Sequence, residues 1–201
     1  FYRIISTLVL IPVVFFCIIK GSFFFNIFII LSFIITCYEW NSMIKNKIFI
    51  LLGFIFITLS YYCVFLIRNS FGDESLSFFL LILLICISTD IGGYIFGKTF
   101  KGPKITKISP NKTYAGMYGS FIFSLFPSAF LYLLNIKVFT FNYNSEVYFL
   151  FYLLLTLFLS LMSQMGDLSV SYFKRKNKLK DTGNILPGHG GLLDRIDGIL
   201  F

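Results

Sequence analysis

Charge is scarce in this sequence. Asp, Glu, Lys and Arg make up 13 % of its 201 residues against 57 % apolar residues, whereas a soluble domain is about 25 % charged. So few charges cannot coat a globule in water, and so apolar a chain cannot be disordered. Histidine occurs once and cysteine four times. Cys17, Cys37, Cys63 and Cys86 lie singly in apolar runs, so there is no CxxC pair and no Cys/His zinc pattern; they read as small buried hydrophobes. The GxxxxGK[ST] phosphate loop is missing, as is any internal repeat. The first apolar run lacks the basic n-region and small-residue cleavage site of a signal peptide. What these absences leave is an all-α, polytopic transmembrane helical bundle.

A membrane-crossing helix needs about 20 apolar residues. Six runs qualify, at about 4–19, 23–38, 48–67, 78–96, 117–134 and 147–165. Lys20-Gly21-Ser22 joins the first two in a tight helical hairpin. Phe1 stands first, and Ile199-Leu200-Phe201 reads as the start of a further helix. Both ends are therefore expected to be trimmed. The whole of 1–201 is read as one membrane-embedded domain, with N-terminal helices in 1–75 and catalytic helices and motifs in 76–201.

Basic residues mark the cytoplasmic side. With the N-terminus inside, 14 of the 17 Lys and Arg fall in inside segments, leaving Lys20, Arg68 and Lys137 outside. Both long polar segments, 97–116 and 166–198, then face the cytoplasm. The net charge of +8 suits topogenesis and anionic headgroups, and equally a polyanionic substrate such as a nucleotide.

Nine acidic residues occur. Asp73, Glu74 and Glu146 read as solvated in outside loops. An acid in or beside an apolar helix is costly unless paired or bound to an ion, which singles out Asp90 and Asp167. Asp90 precedes Gly93 and Gly97, which share a helix face and permit close helix contact. The following loop carries Ser109, Lys112 and Thr113, two hydroxyls and an ammonium before a helix N-terminus, where phosphate binds readily.

The segment from Ser163 is richest. Ser163 and Asp167 share a helix face, as do Asp194 and Asp197. Three carboxylates, Asp167, Asp194 and Asp197, could converge on a hard cation; magnesium takes oxygen ligands, one or two carboxylates plus substrate phosphates. His189-Gly190-Gly191 would present N–H groups to phosphate at the next helix. For His189 a structural hydrogen bond and a phosphate or general-base role stay open. Lys176 and Lys178 read as a solvated stripe at the membrane surface.

Together these residues resemble the phosphatidate cytidylyltransferases, or CDP-diacylglycerol synthases. Their signature is matched by Ser171-Tyr172-Phe173-Lys174-Arg175, Lys180-Asp181, Gly183, Leu186-Pro187, His189-Gly190-Gly191 and Asp194-Arg195-Ile196-Asp197. The likeness extends over about 85–198; before that it is generic hydrophobicity plus Glu39-Trp40. Ala115 departs from it, since many members carry Glu there. The resemblance implies transfer of CMP from CTP to phosphatidic acid, with release of pyrophosphate. It also implies magnesium, a second monovalent cation such as potassium, and a homodimer. Asp167, Lys174, Asp194 and Asp197 are expected to carry the reaction. Ser109, Lys112, Thr113, Arg175, Lys180, Asp181, His189, Gly190, Gly191 and Arg195 are expected to contact the nucleotide. The partners expected are CTP, phosphatidic acid and membrane lipids, with no nucleic acid.

Three other classes compete with this reading. A CTP-dependent lipid kinase would need a general base for a hydroxyl. A CDP-alcohol phosphotransferase has a D-x2-D-G-x2-A-R spacing that is absent here. A transporter would hold its acids near the midplane within repeats, whereas these acids gather at one membrane face.

Overall fold

The computed structural model describes residues 2–70, 72–106, 109, 112–133, 145–185 and 190–201. Among them run α1 (Tyr2–Lys20), α2 (Ser22–Met43), α3 (Lys47–Ser70), α4 (Ser75–Phe100), α5 (Tyr114–Leu133), α6 (Ser145–Lys176) and α7 (Leu193–Leu200), with one isolated β-bridge, Lys104 to Thr113. Each expected apolar run falls in one of the first six helices as far as the described residues go, the fifth having its last residue, 134, outside them. Among the described residues four stretches are long and apolar enough to cross a membrane: Ser22–Met43, Lys47–Ser70, Ser75–Phe100 and Phe149–Lys176. The protein is an all-α membrane protein.

α6 runs well past the expected end near 165. Nothing in 166–176 breaks it, Gly166 included, and Lys174, Arg175 and Lys176 in its last turn favour a helix C-terminus. Its 32 residues reach about 48 Å at 1.5 Å each, longer than a ~30 Å hydrocarbon core.

The chain forms two compact units, Phe1–Leu76 with Tyr172–Leu200, and Ser77–Ser171. Residues 172–200 thus pack with the N-terminal helices.

In the first unit, α1 turns into α2 at Gly21, whose φ is +63°. Arg68 of α3 pins that turn. Its Nε and Nη2 donate to Ile18 O at 3.1 and 3.0 Å, and its Nη1 donates to Ser75 Oγ at 3.1 Å. α2 and α3 are tied by Thr36 and Tyr61, hydroxyl to hydroxyl at 2.8 Å. Trp40 lies against Gly53, where no side chain would fit, and meets Phe173 edge to face at 5.1 Å.

In the second unit, small residues bring α4 and α5 together. A Cβ on Gly116 would come within 2.8 Å of Gly93 O, and one on Gly119 within 2.8 Å of Gly92 O and into the Phe96 side chain. Hydroxyls join the three helices pairwise. Thr89 donates to Ser160 at 3.0 Å, Ser120 donates to Thr89 O at 2.8 Å, and Ser128 bonds Thr156. Without a hydrophobic drive between helices in lipid, close packing and such bonds hold the bundle. Gly119→Leu is accordingly expected to destabilise the protein by about 3 kcal/mol or more, read as a lowered unfolding temperature in detergent, with Gly119→Ala intermediate. An unchanged transition for Gly119→Leu would remove the close contact.

Candidate active site

The expected site residues fall into two groups, one in each unit. In Ser77–Ser171, loop 101–113 is pinned by Ile105 N–H to Lys112 O at 3.0 Å and Tyr114 N–H to Pro103 O at 3.1 Å. These bonds place Lys112 and Thr113 just ahead of α5. Thr113 Oγ1 accepts the N–H of Gly116 at 3.2 Å. Thr113 is thus the N-cap of α5, using the hydroxyl that the sequence offered to phosphate. Lys112 ion-pairs with Asp167 of α6, both side chains being partly buried. Lys112, Asp167, Asp90, Thr89, Ser109 and Gln164 help line a cavity of 290 Å³. Among the described residues no hydrogen bond or ion pair engages the Asp90 carboxylate. Tyr94, one turn on, accepts a hydrogen bond from Lys98 at 3.3 Å.

The second group lies in the unit of Phe1–Leu76 and Tyr172–Leu200. Lys174, at the end of α6, gives its ammonium to Asp194 Oδ1 at 2.6 Å; the side chains are 13 % and 9 % exposed. Asp194 Oδ2 accepts the N–H groups of Thr182 at 2.8 Å and Gly191 at 3.2 Å. Burial pushes the Asp194 carboxyl up, but the Lys174 bond and charge and the two N–H bonds outweigh it and hold the carboxyl below its usual range.

Glu39 of α2 is the residue the sequence reading missed. It is 1 % exposed and accepts from Leu192 N–H at 2.8 Å, Leu193 N–H at 2.8 Å and Thr182 Oγ1 at 3.2 Å. Two signals point to it, an acid inside an apolar helix, as for Asp90 and Asp167, and the Glu39-Trp40 pair noted in the family likeness.

Of the 189–191 segment expected to face phosphate, the structure describes Gly190 and Gly191. The Gly191 N–H goes to Asp194 and those of Leu192 and Leu193 go to Glu39, so protein carboxylates already take these donors. His189 lies outside the described residues. Gly190, with φ +86°, backs onto Asp181 and Asp194. Arg175, Lys180, Asp181 and Arg195 are exposed, and Arg175 donates to Leu179 O at 3.4 Å. Asp197 accepts the N–H of Gly198 at 3.0 Å. Lys176 is exposed, as read from the sequence, and its ammonium lies 4.3 Å from the centre of the Phe49 ring.

Among the described residues no three His, Cys, Asp or Glu side chains gather as a metal cluster. Asp167 and Asp194 each have a lysine counter-charge instead. The donors are oxygen only, and a hard cation bound through one or two carboxylates plus substrate phosphates is compatible with them.

A family profile described as the cytidylyltransferase family matches residues 44–201. The chain is 34 % identical over 207 residues to a protein of Rickettsia typhi named phosphatidate cytidylyltransferase, covering all of this chain and 87 % of that one. A protein of the same name from Rickettsia bellii is 36 % identical over 206 residues, covering 100 % and 86 %. One from Staphylococcus aureus is 40 % identical over 177 residues, covering 86 % of this chain and 64 % of its own length.

Proposed function

The chain belongs to the cytidylyltransferase family, and on that premise we propose that it is a phosphatidate cytidylyltransferase, which joins CMP from CTP to phosphatidic acid. The observation that carries this reading is the alignment of relatives of that name over the whole chain. The chemistry needs no protein nucleophile, because a phosphate monoester brings its own anionic oxygen. That oxygen attacks the α-phosphorus of CTP. A new P–O bond forms, the bond to the β-phosphate bridge breaks, and pyrophosphate leaves with the electron pair. CDP-diacylglycerol is the other product.

Catalysis of such a transfer is positioning and charge neutralisation. Lys112, Lys174 and Arg195 supply positive charge to the phosphates. Asp167 and Asp194 hold Lys112 and Lys174 in place. Ser109, Thr113, Arg175, Lys180, Asp181 and the 189–191 segment belong to the nucleotide side of the same reading. Asp167 in one unit, and Asp194 and Asp197 in the other, are the acids we put forward as magnesium ligands, one or two of them holding an ion that, when bound, would neutralise triphosphate charge. A second, monovalent cation and a homodimer come with the family likeness. By the distribution of basic residues the reaction faces the cytoplasm, where a headgroup phosphate meets water-soluble CTP.

The test uses purified protein in detergent with phosphatidic acid and CTP labelled at the α- or the γ-phosphate. The expected result is α-label in the lipid and γ-label in pyrophosphate. Transfer of γ-label to the lipid would make the protein a lipid kinase, and no transfer of either label would overturn the reading.

A further inference from the structure

A carboxylate buried in a membrane helix is costly, and a buried charge is a poor device for stability alone. Glu39 is such a group, and among the described residues no Lys or Arg pairs with it. Its three donors are Thr182, Leu192 and Leu193, the last two at the start of α7. Two of them are N–H groups at the helix N-terminus, where negative charge is favoured. Gly183 and Gly191 leave room for it. A Cβ on Gly183 would come within 2.9 Å of Glu39 Oε1, and one on Gly191 within 2.6 Å of Oε2. Two glycines of the signature therefore leave room for an acid outside the signature. Thr182 is the link. It is 3 % exposed, donates its hydroxyl to Glu39 and donates its N–H to Asp194.

We propose that Glu39 is a positioning residue of the active site, setting the carboxylate of Asp194 through Thr182 and the N-terminus of α7. Glu39 precedes the 44–201 stretch that the family profile covers. The proposal rests on the cytidylyltransferase reading and extends the working parts of the enzyme into α2. Gln is a near-isosteric replacement, but it puts an amide N–H₂ where one carboxylate oxygen accepts N–H groups.

The experiment compares wild type, Glu39→Gln, Thr182→Val and the double variant as full-length protein in detergent. It measures kcat and KM for CTP per folded molecule, and amide exchange in 182–193. The wild-type arm tests the reaction itself, since a wild type without cytidylyl transfer refutes that reading whatever the variants do. Exchange is followed independently of activity. We expect Glu39→Gln to lower kcat 10- to 100-fold, the range for groups that orient catalytic ligands, with KM for CTP within about threefold, as for an interaction made in the transition state. Exchange of Leu192 and Leu193 should accelerate. Thr182→Val should give a similar kcat loss, and the double variant should lose little more than the worse single one. Thr182→Val keeps the test open if Glu39→Gln fails to fold. A kcat per folded molecule within about twofold of wild type, a loss confined to KM, or unaltered exchange would overturn the proposal.

Discussion

Asp194→Asn is expected to lower turnover about 1000-fold, the scale of losing one preorganised electrostatic group, while the protein still inserts. The carboxylate faces donors on both sides, the Lys174 ammonium on Oδ1 and the N–H groups of Thr182 and Gly191 on Oδ2. An amide cannot satisfy both, because its N–H₂ must point at one set of donors. The substitution also removes the counter-charge of Lys174. Near-normal turnover would take Asp194 out of the catalytic machinery. Stability should follow pH with a definite sign. The carboxyl is held below its usual range in the fold, so its contribution is complete above the ordinary carboxylate pKa of about 3.9 and fades as pH falls through the lowered value. The gap in unfolding temperature between wild type and Asp194→Asn should be constant above about pH 5 and should narrow below about pH 4. A gap that persists into stronger acid would mean that the ionised form is not what stabilises.

Lys112→Ala should lower kcat/KM for CTP about 100-fold. Lys112 is paired with Asp167, and Asp90 lines the same cavity. Its removal leaves two carboxylates beside the space in which a polyanionic substrate must lose charge. Lys112→Arg should restore part of the rate, since a planar guanidinium returns the charge but not the compact ammonium. Because the two residues act as a pair, losses for Lys112→Ala and Asp167→Ala should not add in a double-mutant cycle on kcat/KM. Wild-type kcat/KM in Lys112→Ala, or full additivity, would count against a shared role.

By itself the sequence determined the class of protein, the positions of the apolar helices and the family of the reaction. Each is a local property: the length of an apolar run, the spacing of Gly93 and Gly97 on one helix face, the unbroken order of residues from Ser171 to Asp197. Local order put Ser163 and Asp167 on one helix face, though it did not show that the helix would carry on through Lys174. Only the tertiary structure decided partners. Spacing does not say that Lys112 meets Asp167 or that Lys174 meets Asp194, because an ion pair is chosen by three-dimensional approach and several lysines compete along the chain. It does not show Thr113 used as a helix cap, or the N–H groups of Gly191 and Leu192 already given to carboxylates. Above all it leaves Glu39 as an isolated acid in an apolar run. Its donors lie 143 to 154 residues further on, and a buried carboxylate is explained only by the groups the fold brings to it.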